Sequence, residues 1–163
     1  MRHTHSAALL VLISSLIATG CGDTDTPDPP EETLEEHLCE HFDNGPFQDQ
    51  SAASVVADAP LVAVEHTPVR LTLLESEGQF SGFGEFSVES AGSVVVALGL
   101  DVPVSVTNGA GDMQNRVGQS PITGVCSTLV RMDMYDLPVG HYVVELGPSD
   151  TEEITVLVGF PGR

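Results

Sequence analysis

From Ser51 onward the apolar positions come in short runs separated by Gly, Pro, Asp and Asn, not in the spaced stripe of a helix. The runs are SVVA, PLVAVEH, VRLTLLE, GEFSVES, SVVVALG, VPVSVT, VCSTLVRMDMY, HYVVELG and EITVLVG. Their length and their Val, Ile, Leu and Phe content predict strands, because β-branched and aromatic side chains suit a pleated, half-buried surface. Tyr142, Val144 and Leu146 alternate with His141, Val143 and Glu145, as in a strand with one buried face. Ser93 to Gly99 is nearly continuous in apolar residues and suits a central strand. Seven to nine such strands predict an all-β fold, an antiparallel β-sandwich or jelly roll. The pattern contains no βαβ alternation, no strand-preceded phosphate loop and no repeat.

One short helix is expected ahead of the strands, in PEETLEEHLCEHFDNGP. Thr33 and the glutamates at 31, 32, 35 and 36 place negative charge at its start, and Asn44, Gly45 and Pro46 stop it. Leu34, Leu38 and Phe42 share an arc about 80° wide, which is the face expected to dock. His37 and His41 border that arc on one flank. Cys39 borders it on the other, roughly 160 to 200° away from them, so one metal ion cannot easily use both.

The N-terminal segment is of another kind. Arg2 is followed by an apolar and small-residue run from Ala7 to Ile17 and then by Ala18, Thr19, Gly20 and Cys21. A run of about 11 residues is too short for the ~20 of a membrane-spanning helix and reads as an export signal over residues 1–20. The four residues ending at Cys21 resemble the lipobox of bacterial lipoproteins, which implies lipidation of the Cys21 thiol and a palmitate-type anchor; ordinary cleavage without lipid is the alternative. Residues 21–32 are acids, Thr and Pro with little to bury, an acidic tether, and residues 33–163 form the helix plus β-sandwich domain. Gly22 stands where many inner-membrane lipoproteins carry Asp, so an outer-membrane position in the cell envelope is expected.

Charge narrows the partners. The chain has 24 Asp plus Glu against five Lys plus Arg, for a net charge of −19, and contains no lysine. Such a surface repels phosphate backbones, so nucleic acid is excluded as a partner and the membrane is expected through the lipid alone. Solubility in a salty medium accounts for the acids without any ligand. A protein or small-ligand partner cannot be read from them.

Two resemblances organise the remaining residues. ESAGSVVVALGLDVPVSVTNGAGD followed by LPVGHYVVELGPSDTEEITVLV resembles the strand rhythm of bacterial pre-peptidase C-terminal domains, small β-sandwich modules of secreted proteins. The Cys39, Glu40, His41, Gly45 and Pro46 segment, with downstream His66 and Cys126, is similar to small bacterial envelope lipoproteins of unknown function. That likeness implies which residues to watch and carries no activity. With Cys21 lipidated, Cys39 and Cys126 are the two thiols left in an oxidising compartment, where a disulfide is the ordinary outcome and a thiolate metal site or reactive Cys the competing one.

The pentapeptide HLCEH, residues 37–41, spells the H-x-x-E-H pattern of inverted zincins. His37, Glu40 and His41 meet the first needs of that chemistry, but a third ligand on a second helix is missing from the pattern, so a peptidase is the weakest reading. A non-catalytic zinc or copper site is the stronger one, with His41 and His66 as the histidines the resemblance picks out and His37, Glu40 and Glu65 as companions. Structural roles explain the same residues: His41 at the helix to sheet interface, His37 in solvent, His66 opening a turn. Asn108, Asp112 and Asn115 in TNGAGDMQN offer calcium-type oxygens, though Asx turns account for them as well. The sequence therefore supports a non-enzymatic envelope interaction or accessory module without a cofactor, with a small metal-binding lipoprotein as the alternative.

Overall fold

The computed structural model describes residues 32–62, 67–120, 122 and 124–160, so the export signal, most of the tether and the segment 63–66 lie outside the described residues. A helix, α1 (Leu34–Asn44), is followed by β1 (Gln48–Ser51), a 3-10 turn at Val56–Asp58, β2 (Val69–Thr72), β3 (Leu74–Ser76), β4 (Gln79–Val88) and β5 (Gly92–Leu98). β6 (Val104–Asn108), β7 (Arg116–Ser120), β8 (Arg131–Leu137), β9 (Gly140–Ser149) and β10 (Glu153–Gly159) complete the chain. The strands form a six-stranded sheet in the order β1-β2-β10-β5-β8-β7 and a four-stranded sheet in the order β3-β4-β9-β6.

The two-sheet, mostly β architecture with one helix is as expected, but the described residues form ten strands rather than seven to nine. β1 (QDQS) and β7 (RVGQS) are polar edge strands held by backbone pairing, and β1 runs parallel to β2 in an otherwise antiparallel set. SVVA is not a strand: Val55 and Val56 are half exposed at the 3-10 turn. The run beginning at Val125 pairs only from Arg131.

Strand composition follows from which faces are covered. Val94, Val96 and Leu98 of β5 point between the sheets, with Val156 and Val158 of β10 and Phe86, Tyr142 and Val144 opposite. Val95, Ala97 and Leu157 point to the other face, where Leu38, Cys39 and Phe42 of α1 cover them. β5 is thus apolar without a break because both its faces are buried. Covering Leu38 and Phe42 contributes roughly 3 to 6 kcal/mol of gross transfer free energy.

The two open sides of the sandwich are treated differently. On the β4 side the chain from Ala52 to Val62 forms a wall: Ala52 N–H donates to Thr72 O at 2.8 Å, and Val62 N–H to Glu85 O at 2.8 Å. Val62 fits there because β4 carries glycine at 84, where a Cβ would stand 2.6 Å from Val62 Cγ1. On the opposite side, between the edge strands β6 and β7, only the short connection 109–115 folds back onto β6, with Gln114 N–H donating to Val106 O at 2.8 Å, and a cleft is left beside it.

Candidate functional site

Helix α1 presents three stripes with three jobs. Thr33 caps it: its Oγ1 accepts from Glu36 N–H at 3.2 Å, and Glu36 Oε2 accepts from Thr33 N–H at 2.8 Å. Those bonds to Thr33 hold the Glu36 carboxyl below its ordinary value. The first stripe, Leu34, Leu38 and Phe42, docks as expected, with Leu38 and Phe42 buried.

The second stripe, Glu35, Cys39 and Asp43, repeats every four residues and fastens the chain at 124–128. Cys39 and Cys126, 87 residues apart in sequence, form a disulfide across a Cα separation of 5.8 Å. Glu35, only 8% exposed, accepts from the N–H groups of Gly124 at 3.2 Å and Val125 at 3.3 Å. Asp43 Oδ1 accepts from Thr128 Oγ1 at 2.6 Å.

The third stripe holds the histidines. The His37 and His41 rings meet edge to face with centroids 4.9 Å apart, and His37 Nδ1 lies 3.7 Å from Glu32 Oε2. Glu40 is exposed on the same helix. Among the described residues no three His, Cys, Asp or Glu side chains gather as a metal site. His66, Glu65 and Cys21 lie outside the described residues.

A different constellation occupies the open side. There β6 stands over the inner face of β7 and β8, enclosing a cleft of about 420 Å³ lined by Pro103, Val104, Met113, Gln114, Asn115 and Arg116, with Arg131 and Tyr135 on its floor. Asp133 of β8 is fully buried between two guanidiniums. Arg131, 12% exposed, donates to Asp133 Oδ2 from Nε at 3.1 Å and from Nη2 at 2.8 Å, while its Nη1 donates to Asp101 Oδ1 at 3.1 Å and Val102 O at 2.7 Å. All three of its nitrogens are engaged. Burial opposes its charge, but the carboxylates of Asp133 and Asp101 outweigh burial and keep it protonated above its ordinary range. Arg116 touches Asp133 Oδ1 with Nη1 alone, at 3.1 Å, and its side chain is 42% exposed in the cleft mouth.

The ion pairs alter their neighbourhood. Burial, then the negative charge of Asp133, pushes the Tyr135 phenol above its ordinary value. The cleft rim is the loop 109–115. Asn108 Oδ1 accepts from Ala110 N–H at 3.0 Å and Asp112 N–H at 2.9 Å, and Asn108 Nδ2 donates to Asp112 Oδ2 at 3.2 Å. The Asx turn is therefore formed, and Asn108 and Asp112 are spent on one another.

No family model and no curated protein matches the chain. Several solved structures are similar to it at low identity, among them the following two. The pre-peptidase C-terminal domain of a collagenase from Bacillus anthracis is 11% identical, with a TM-score of 0.38 over 70% of this chain and 95% of that one. A β-glucosidase from Paenibacillus barengoltzii is 14% identical, with a TM-score of 0.30 over 68% of this chain, which spans 13% of that enzyme.

The arginine cleft was not among the residues expected from sequence, although a signal for it exists in RMDMYDL. Met132 and Met134 face α1, and Arg131, Asp133, Tyr135 and Leu137 share the opposite parity. Two charges in register with Tyr135 and Leu137 mark a strand whose inner face is polar at one end. An inner-facing charge on a β strand needs a partner, and Arg116 and Arg131 are two of the five arginines in a chain without lysine.

Proposed function

We propose that the protein is a non-catalytic binding module of the cell envelope, tethered by a lipidated Cys21 and working by holding a partner in the cleft between β6 and β7. The observation that carries this reading is the chemistry of the cleft. Its lining carries two guanidiniums, held from behind by Asp133 and Asp101, and contains no His, Cys, Lys, Asp or Glu. Such a set fixes a charge in place and presents no imidazole, thiol or free carboxylate to act as general base or nucleophile. The disulfide suits an oxidising compartment, in keeping with export.

Expressed in a bacterium that processes lipoproteins, the chain is expected to sediment with outer membranes, and Cys21→Ser to release it or leave it unprocessed. Wild-type protein in the soluble periplasm with an unmodified N-terminus would overturn the anchor.

A second reading rests on His37 and His41, whose rings stand side by side on the flank of α1 away from Cys39. In it they bind zinc or copper, with His66, Glu65 or Glu40 completing the set. Elemental analysis of purified protein decides it: about one metal per chain, lost in His41→Ala, supports the site, and metal-free protein after growth with both metals ends it.

A further inference from the structure

We infer that the cleft between β6 and β7 receives the C-terminal carboxylate of a peptide, seated on the Nε and Nη2 edge of Arg116. The inference deepens the binding role proposed above and is independent of the lipid anchor.

Arg131 and Arg116 bind the same carboxylate in different ways. Arg131 gives its Nε and Nη2 edge to Asp133 and its Nη1 to Asp101 and Val102, so it has no edge left for a ligand. Arg116 gives Asp133 only Nη1. Its other edge, Nε with Nη2, presents two parallel N–H donors, the geometry that matches a carboxylate bidentately. Asp133 also fixes the guanidinium, so less side-chain freedom is lost when a ligand binds. The structure thus supplies a held cation with an unused fork at the mouth of a cleft.

Charge and shape restrict what the fork takes. The two arginines are neutralised by Asp133 and Asp101, and the whole chain carries −19. A dianionic phosphate meets twice the long-range repulsion of a monoanion, so a single carboxylate is favoured. The walls beside the fork are Pro103, Val104 and Met113, the last 71% exposed, with the amides of Gln114 and Asn115 next to them. Aliphatic walls with amide donors and acceptors suit a peptide end with an apolar side chain.

An acidic sugar is the other source of a carboxylate, but sugar rings are held mainly on exposed aromatic faces. The chain has no Trp, and Tyr135 is buried. β7 adds direction: among the described residues it ends its sheet and pairs with β8 alone, and it starts at Arg116. A peptide running antiparallel along its outer edge reaches Arg116 with its C-terminal end.

The test uses the full chain purified in detergent, titrated with the tripeptide acetyl-Ala-Val-Leu as free acid, as C-terminal amide, and with trigalacturonate. The free acid is expected to bind and the amide to bind at least about tenfold more weakly, the size of one charge-assisted hydrogen-bond pair. Arg116→Gln is expected to lose the acid's advantage over the amide, and Arg116→Lys to keep only part of it. Met113→Glu, at an exposed position of the cleft wall, is expected to weaken the acid more than the amide, since only the acid meets the added charge; it keeps the test valid should Arg116→Gln unfold. Equal binding of acid and amide, no binding of either, or tighter binding of trigalacturonate each overturns the inference. Cys21→Ser is expected to bind as wild type, so loss of the anchor and loss of the peptide site are read separately.

Discussion

Asp133 is the residue on which the open side of the sandwich depends. A lone buried carboxylate is costly, and two guanidiniums offset that cost here. Truncating Asp133→Ala leaves Arg131 buried without its main partner and is expected to lower unfolding free energy by about 3 to 5 kcal/mol, measured by urea denaturation. Arg116→Ala leaves Asp133 still bound by Arg131 and removes a half-exposed cation, so a loss as large as that of Asp133→Ala would contradict the division of roles. The tyrosines give a pH reading of the same region. The chain has two tyrosines and no Trp, so tyrosinate absorbance reports Tyr135 and Tyr142 alone. Burial raises both, and Asp133 adds to the rise at Tyr135. A raised phenol contributes stability that is complete below the ordinary value near 10 and lost as pH rises through the folded value. Neither tyrosine is expected to ionise until above that ordinary value, and then together with alkaline unfolding; ionisation of either near pH 10 in folded protein would count against its burial.

At the scale of elements, α1 is fastened by a line of three unlike bonds, Glu35 to the 124–125 amides, Cys39 to Cys126, and Asp43 to Thr128. The disulfide closes a long loop, which in the chain-entropy picture contributes on the order of 4 kcal/mol. Glu35→Ala removes a charged acceptor, itself buried, from the amides of Gly124 and Val125 and is expected to cost about 2 kcal/mol. Because both bonds hold the same segment, the cost of Glu35→Ala should shrink when Cys39 and Cys126 are both alanine; strictly additive losses in that cycle would show that they act separately. The Cys39 and Cys126 pairing was legible because two thiols remain once Cys21 is assigned to lipid, and the docking face of α1 because its spacing is helical. β5 and β9 were legible because burial on two faces or one leaves a different pattern. β1 and β7 were not, since QDQS has nothing apolar and RVGQS only the exposed Val117, so neither alternates and both exist by pairing with a neighbour. SVVA misled for the opposite reason: Val55 and Val56 look like a strand yet stand half exposed on the wall that crosses to β4. The Glu35 contact and the Arg116 fork depend on chain crossings and on the register shift between Arg116 and Gly118, which no local spacing encodes.

For the whole molecule the governing quantity is the charge of −19, set by 24 acids against five arginines. Of the three arginines among the described residues, Arg116 and Arg131 are committed to Asp133, and Arg70 lies 4.1 Å over the Phe47 ring beside Asp49. Little positive charge remains to offset the acids on the surface. Compacting the chain brings those acids closer than they stand when unfolded, so self-repulsion opposes folding, and it does so through solvent, where salt acts. The Debye length falls from about 30 Å at 0.01 M to about 3 Å at 1 M salt, which cancels repulsion between separated surface charges. The Asp133 pairs are 3.1 Å or shorter and buried on the carboxylate side, so screening touches them much less. The melting temperature is therefore expected to rise steadily with sodium chloride over that range. Asp133→Ala should melt lower at every salt concentration with the same slope, because the slope belongs to the surface and the offset to the buried pair. A melting temperature that falls with salt would mean that attractive pairs exposed to solvent, not the excess of acids, dominate the electrostatics of this fold.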